Sequence, residues 1–572
     1  DNIWLETIWK TINFFYCERC GSEIPGIHDV CHRDLQTVHA DQKIIANGGW
    51  HDAGDLSQGL TRTAEATHAM LRLAENISEQ DPDLAVRLSE EARWGLEWIL
   101  KTRFGDGYRT VWSTMDLWTD GILGNMDDIV WDAGNDPQAN LIAATAEAAA
   151  FSFFQFQEPQ LAAKALQAAE EDWRFAAKEI HSIDLQTAAF AVNAAVELFE
   201  ATGKTSYASA AIEHGKTIFN CQQKSYTAWR LPVAGFFYAT PDKQHIVHYN
   251  HMSYEQAPIV ALSQLCETFP DHPDWIEWYS TIVLYSEYLK TVCSINEPYF
   301  MSPASIYNID ELQNANYFDQ IKNGVPLSKT HFLRRFPVWG GLTYRGNNSV
   351  LLSQVKALST AGRLRRDPGL LDLAQNGMEW IVGKNPFAQS LMASEGYDSQ
   401  PLYSQTSGDI VGALPVGIMT NYDSDVPYWP SDNQSCYKEV WVHPATRWLS
   451  IMNDVTGISK SGNPVVKDDP QENQFNFSLS QETTEDGKVS ITVTVEATEM
   501  DSFDYSIRAS NLQNDSFDGR MDIDRNHPVT MVWSAQMTSI DEPWIAVFIP
   551  NQDISQRQEI VGSPQAREVN GP

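Results

Sequence analysis

The sequence predicts a mainly helical chain with a β-sandwich at its C-terminal end, and three observations carry that reading. Apolar residues recur at helical spacing from residue 1 to about 460. A Ser-, Gly- and Pro-bearing stretch breaks the rhythm near 460, and period-two alternation of apolar residues follows it. At 572 residues the chain exceeds one ordinary domain. The expected domains are therefore 1–462, helical, and 463–572, a sandwich.

In the first domain, Leu84, Leu88, Ala92, Leu96 and Ile99 fall on one helix face, with Trp94 and Trp98 beside them. Ala-rich runs predict helices at 139–156, 160–178 and 186–202. Others are expected near 205–220, 254–268, 272–293, 347–362, 368–383 and 440–456. Pairs joined by short polar turns recur at intervals of roughly 40 to 50 residues, and such hairpins must stack to bury their apolar faces. About a dozen helices suffice to close an α/α barrel, with an open solenoid as the alternative that periodicity leaves standing. Long aromatic-rich connections at 104–138, 224–253, 295–346 and 384–438 interrupt the helices, and long loops on a rigid scaffold build binding sites.

Ser459 to Pro464 and Lys467 to Pro470 read as a linker. Beyond it Phe475, Phe477 and Leu479 alternate, then Val489, Ile491, Val493 and Val495, with Asp486-Gly487 as the hairpin turn between them. Strands are also expected at 503–509, 528–535 and 543–550, an immunoglobulin-like pattern of about 100 residues. It contains no cluster of chemistry-bearing residues, which makes a scaffold role the first expectation and glycan binding the second.

Composition narrows the function classes. A net charge of −35 repels a polyanion, so neither nucleic acid nor an anionic membrane is the expected partner. No run of about 18 apolar residues is present, so no membrane-spanning helix is expected. The 19 Trp and 20 Tyr offer flat faces suited to sugar rings as well as to core packing. The chain opens on Asp1 without a signal-like segment, as a mature or trimmed form would, which leaves secreted, periplasmic and cytoplasmic locations open. Seven Cys cannot all pair internally.

Three constellations carry chemistry. In Gly48-Gly49-Trp50-His51-Asp52-Ala53-Gly54-Asp55, two carboxylates stand three residues apart in a Gly-softened turn that leads into an amphipathic helix. Such a pair can orient and deprotonate a water when an acid faces it across a substrate; the bland alternative is a helix cap. In Tyr437-Lys438-Glu439-Val440-Trp441-Val442-His443-Pro444, Glu439 stands where a loop meets the last helix of the domain. Trp441 with Tyr422, Tyr428 and Trp429 would give it the apolar surroundings of a general acid, against the alternative of an exposed helix-start Glu. Finally, Cys17-x-x-Cys20 with His28, Cys31 and His32 has the composition of a tetrahedral zinc site, against reduced or disulfide-bonded Cys without metal.

Together these residues resemble glycoside hydrolase family 9, the inverting β-glycanases and exo-β-glycosidases built on an (α/α)6 barrel. The resemblance rests on Arg19-Cys20-Gly21, Gly49 to Asp55, Trp339, Gly346-Asn347-Asn348, Gly383-Lys384-Asn385-Pro386-Phe387, Ser390 and Glu439. It runs in consistent order over roughly residues 5–455. It implies Asp55 as catalytic base, Asp52 as the carboxylate that helps hold the water, and Glu439 as general acid. In inverting enzymes the two carboxyl groups stand about 6.5–9.5 Å apart, leaving room for that water. Trp50, His51, Trp339, Tyr428 and Trp441 are the expected sugar-lining residues.

The resemblance also implies a structural zinc on Cys20, Cys31 and His32, with Cys17 taken as fourth ligand and His28 as its alternative. Fully ligated, such a zinc braces the segment leading into the catalytic turn and activates no water. Calcium occurs in similar proteins, although no compact Asp-rich loop stands out here.

Two departures stand against a standard cellulose-cleaving subsite. Gly396 to Gln405 lacks the family's His-x-Arg pair, and 104–138 lacks the Asp-, His- and Trp-rich segment of many endoglucanases. Arg335, Arg345, His248 and His251 are the candidates to substitute. The expected function is an endo-β-1,4-glucanase-like inverting glycosidase acting on β-linked glucosyl-type glycans. The alternatives are an exo-acting β-glucosidase, β-glucosaminidase or other oligosaccharidase and, across classes, a zinc hydrolase or a non-catalytic glycan receptor.

Overall fold

The computed structural model describes residues 4–113, 118–407, 409–421, 424–456, 475–497, 502–514, 516–523 and 527–563. The stretches read as a linker, and Tyr422, lie outside the described residues. Helices α1 (Leu5–Cys17), α2 (Leu60–Ile77), α3 (Pro82–Lys101), α4 (Pro137–Phe154), α5 (Pro159–Glu179), α6 (Leu185–Thr202) and α7 (Thr205–Asn220) make up the first half. There follow α8 (Ala257–Thr268), α9 (Trp275–Cys293), the short α10 (Phe318–Lys322), α11 (Asn348–Arg365), α12 (Pro368–Ile381), the single turn α13 (Ser435–Lys438) and α14 (Val442–Val455). Among the described residues no helix is long and apolar enough to cross a membrane.

Local chemistry sets the helix starts. Asp81, Asp136 and Asp367 each cap a helix through the side chain, and each is followed by Pro at the first helical position. Asp184 caps α6, and Gly203 in the left-handed conformation ends it. The helices then divide by composition. Ala and other small residues bury α4, α6 and α11 on nearly every face, whereas α3, α5 and α12 bury one stripe. Accordingly α2 packs on α3, α4 on α5, α6 on α7 and α11 on α12. The more buried members also touch one another, α11 with α14, α14 with α2, α2 with α4 and α4 with α6.

One buried ion network pins the loop between α3 and α4. Arg109 is fully buried against Glu147 of α4 and Asp172 of α5, and Asn140 donates to Asp172 at 2.6 Å. This holds the strand Trp112–Ser113 in antiparallel pairing with Gln58–Gly59, which brings Trp112 beside the start of α2.

The residues separate into two compact units. The first takes Asp1–Cys221, Tyr238–Gln264 and Leu289–Pro464; the second takes Gln222–Phe237, Leu265–Tyr288 and Val465–Pro572. The second unit contains two antiparallel sheets. One has the order Phe475–Thr483, Lys488–Ala497, Val529–Gln536, and the other Ser516–Asp522, Ser502–Ser510, Trp544–Pro550, Gln558–Gly562. Val489, Ile491, Val493 and Val495 of one sheet share a core with Phe503, Tyr505 and Ile507 of the other, as the alternation predicts. Strands Ser516–Asp522 and Gln558–Gly562 were not expected. Within the same unit Tyr279 donates its hydroxyl to Glu559, Arg508 lies 5.4 Å over the Trp275 ring, and Arg557 lies 5.3 Å over the ring of Tyr279.

Candidate active site

Three chain segments distant in sequence are knitted together by backbone hydrogen bonds. Val442 N–H donates to Asp52 O at 2.9 Å, Gln405 N–H to Gly54 O at 2.8 Å, and Val440 N–H to Tyr403 O at 3.1 Å. Within the turn, Asp52 N–H donates to Ser57 O at 2.7 Å and Ser57 N–H to Asp55 Oδ1 at 3.1 Å. The closeness requires glycine at position 54. A Cβ there would stand 2.7 Å from the Tyr403 carbonyl oxygen and 3.2 Å from Glu439 Cγ. The turn carrying Asp52 and Asp55 thus packs directly on Glu439.

Glu439 is 3 % exposed and accepts from Trp441 Nε1 at 3.2 Å. Trp441 joins Ala53, Val416 and Tyr344 in a small apolar cluster. Over it lies an aromatic group: the His251 ring is 5.2 Å from Trp339, 5.4 Å from Tyr344 and 5.3 Å from Trp441. Of the four candidates to replace the missing His and Arg, only His251 joins this group. His248 stacks on Tyr307 and bonds Glu311, Arg335 bonds Asn296, and Arg345 lies 3.6 Å from Asp319.

Asp52 is buried with Arg62 Nε 2.5 Å from its Oδ2, while its Oδ1 has no hydrogen-bond partner among the described residues. Burial pushes its carboxyl up to about 6, with the nearby Asp55 adding to the rise and the Arg62 guanidinium opposing it. Arg62 also lies 4.4 Å over the ring of Trp112, which is 39 % exposed. Neither Arg62 nor Trp112 was expected from sequence. A single Arg on a helix looks like any surface residue, and only the pairing of two short strands brings the tryptophan to it.

The expected sugar-lining residues divide. Trp339 and Trp441 both flank His251, Trp441 also bonds Glu439, and Tyr428 is exposed on the short strand Pro427–Tyr428. Trp50 does not line the site. It is 1 % exposed, donates Nε1 to Glu91 at 2.8 Å and packs edge-on to Phe15. His51 also points away, into a Cys and His cluster.

That cluster consists of Cys20, Cys31, His32 and His51, all buried, with one ligand atom of each within 4.8 Å of the others. Cys31 Sγ is 4.0 Å from Cys20 Sγ and 3.5 Å from His51 Nε2, and Cys20 Sγ is 3.5 Å from His32 Nδ1. Tetrahedral bonds of about 2.0–2.3 Å imply ligand separations of roughly 3.3–3.8 Å, so the donor set fits zinc. Glu18, fully buried, brings Oε2 to 3.6 Å from His51 Nδ1, the arrangement of a carboxylate behind a metal-bound imidazole.

Cys17, expected as fourth ligand, is not in this group. Helix α1 ends at Cys17, so the spacing to Cys20 spans a helix end rather than one helical face. His28, the alternative, turns Nε2 to the carbonyl of Cys17 at 3.0 Å. A second group, Asp34 with Asp120 and Asp127, also gathers carboxylate oxygens within 4.8 Å. It supplies three of the six to eight oxygens that calcium takes. Asp34 comes from a segment far from the other two, which is why no acidic loop stood out in the sequence.

The family model for glycosyl hydrolase family 9 matches residues 4–405. No curated protein matches the sequence. Among solved structures, a metagenome-derived glycoside hydrolase family 9 endoglucanase is similar, with TM-score 0.56, 18 % identity and coverage of 79 % of this chain and 81 % of that one. The cellulase Cel9M of C. cellulolyticum in complex with cellobiose gives TM-score 0.54, 14 % identity and coverage of 79 % and 98 %. A Zn-binding triple mutant of the family 9 endoglucanase J30 gives TM-score 0.55, 18 % identity and coverage of 79 % and 84 %. At these identities the likeness is one of fold.

Proposed function

Because the chain belongs to glycosyl hydrolase family 9 and is thereby a glycosyl hydrolase, we propose that it cleaves β-linked glucosyl-type glycans by single displacement with inversion. Asp55 takes the proton of the attacking water, Asp52 orients that water through its unbonded Oδ1, and Glu439 protonates the leaving oxygen. The observation that carries this reading is the packing of Gly54 on Glu439 Cγ, which brings the base-bearing turn and the acid to one place. The apolar surroundings of Glu439 suit an acid held protonated before the bond breaks.

His251, Trp339, Tyr344 and Trp441 are the proposed sugar platform, with the exposed Tyr428 as a further candidate sugar contact. The endoglucanases and the cellobiose complex among similar folds favour an endo-β-1,4-glucanase-like activity. The missing His-x-Arg pair favours the second reading, exo action on short β-linked oligosaccharides. Anomer-resolved product analysis on β-glucan, xyloglucan, chitosan and mannan oligosaccharides tests both. Inverted products released along the chain support the first reading, inverted monomers from one end the second, and retained configuration overturns both.

The finer architecture follows the same reading. Helices α2, α4, α6, α8, α11 and α14 would form the inner ring of an (α/α)6 barrel, and the two C-terminal sheets an immunoglobulin-like sandwich. Cys20, Cys31, His32 and His51 would hold a zinc ion. Four protein ligands leave no open position, so it supplies rigidity to the turn rather than an activated water. A zinc hydrolase is disfavoured on that ground, and a receptor has no need of the three carboxylates.

A further inference from the structure

Beneath the aromatic group lies a set of buried polar atoms that the proposed mechanism does not use. His443, in the first turn of α14, is 4 % exposed, and among the described residues neither ring nitrogen has a hydrogen-bond partner. Glu65 of α2 brings Oε2 to 3.8 Å from His443 Nδ1, too far to bond, and that oxygen is likewise buried without a partner. Groups of this kind are costly inside a protein, on the order of 1–3 kcal/mol each, and a native site that keeps several together faces something that satisfies them.

The placement says what they face. Val442, the residue before His443, donates its N–H to Asp52 O, and Glu65 follows Arg62, the partner of Asp52, by three residues on the same helix. The two side chains therefore come from the helix ends whose preceding segments carry Asp52 and Glu439. The His443 ring lies 6.5 Å from that of Trp441 and 6.1 Å from that of Tyr254. Glu65 is held from behind. Arg447 donates to its Oε1 at 3.1 Å and is itself fixed by Ser253 O at 3.3 Å and the Tyr254 ring at 5.2 Å. Burial, with the positive charges of Arg62 and Arg447, keeps the His443 imidazole neutral, so it offers one donor and one acceptor.

We infer that His443 and Glu65 form a sugar-recognition pair in which a hydroxyl of the glycosyl unit at the catalytic centre donates to Glu65 Oε2 and accepts from His443. A hydroxyl is both donor and acceptor, which matches a carboxylate oxygen beside a neutral imidazole N–H. A site built this way rejects a sugar lacking that hydroxyl, because two buried polar groups are then left unpaired. The inference rests on the reading of Asp55 and Glu439 as base and acid.

The test uses the best-cleaved oligosaccharide of the substrate screen and its monodeoxy analogues, each varied at one hydroxyl of the unit whose bond is cut. In the wild type, removal of one particular hydroxyl is expected to lower kcat/KM by about 10²-fold. In His443→Phe the parent substrate falls by about 10–100-fold, and the penalty for the same deoxy sugar shrinks to within about threefold, because the pair no longer needs that hydroxyl. Glu65→Gln, which keeps the side-chain shape, gives the same contraction and stands in if His443→Phe does not fold. Equal losses on parent and deoxy substrates would mean a purely structural role and overturn the pair, as would a wild type indifferent to every deoxygenation. Hydrolysis that survives in Asp55→Asn overturns instead the catalytic reading beneath it.

Discussion

Arg62 Nε stands 2.5 Å from Asp52 Oδ2, and the same guanidinium lies 4.4 Å over the Trp112 ring. One cation thus holds a carboxylate in a fixed rotamer while an indole face holds the cation. Arg62→Met is expected to lower kcat by about 10²-fold with KM changed less than threefold, since the orientation of the water, not sugar binding, is lost. Arg62→Lys restores only part, because an ammonium cannot stack and pair in the same geometry. Steady-state kinetics with melting curves as a folding control check both, and an unchanged kcat in the Met variant would show that Asp52 orients itself.

Asp55→Asn and Glu439→Gln are each expected to remove about 10³-fold or more of kcat while far-UV circular dichroism stays that of the parent. Near-parental turnover in either variant would remove that residue from the mechanism.

Gly54→Ala tests the packing between the two halves of the site. The added methyl group would meet the Tyr403 carbonyl and Glu439 Cγ, so the expected result is a stability loss of about 1–3 kcal/mol and a tenfold or greater drop in kcat. A crystal structure of the variant should show Glu439 displaced.

The Cys and His cluster yields a metal prediction. Elemental analysis should find one zinc per chain in the parent and much less in Cys31→Ser, with a melting temperature lowered by several degrees. Brief chelation at low temperature should leave activity largely intact, because the ligand set is closed. Immediate loss of activity with the helical signal unchanged would move the metal into the chemistry.

Acid stability follows from the histidine beside Trp441. Burial, with help from the Arg62 charge, lowers His251 from its ordinary value of 6.5 to about 4. Between those values the unfolded chain binds the extra proton and the folded chain does not, so stability falls as pH drops through that window. By pH 5 the expected cost from this group is about 2 kcal/mol. Urea midpoints at pH 7 and pH 5 should show it, and His251→Phe should reduce the difference by about that amount, the buried His443 keeping its own share.

Much of the helical framework was legible because 3.6-residue periodicity and Asp-Pro starts act locally. The runs expected at 186–202 and 205–220 correspond to Leu185–Thr202 and Thr205–Asn220. The candidate site was legible only where a local motif coincided with it. Asp52 and Asp55 announce themselves by spacing, but Arg62 is an ordinary polar helix residue until the fold delivers it. The proposed zinc ligands show the same limit from the other side. Cys17 looks closer to Cys20 than His51 does along the chain, yet α1 ends there, while the bridge between Arg19 and Trp50 lays His51 beside the thiols.

The second compact unit returns the chain to itself three times, with 222–237 and 265–288 joining the C-terminal sheets. Such a unit cannot be detached by one cut. Ending the polypeptide at residue 464 would remove Glu559 from Tyr279 and Arg508 from Trp275, leaving an aromatic helix face in water. Isolating 465–572 would uncover the matching surface of the sheets. For protein engineering, the C-terminal segment is therefore better regarded as an inseparable half of a discontinuous module than as an appendage to be trimmed or swapped.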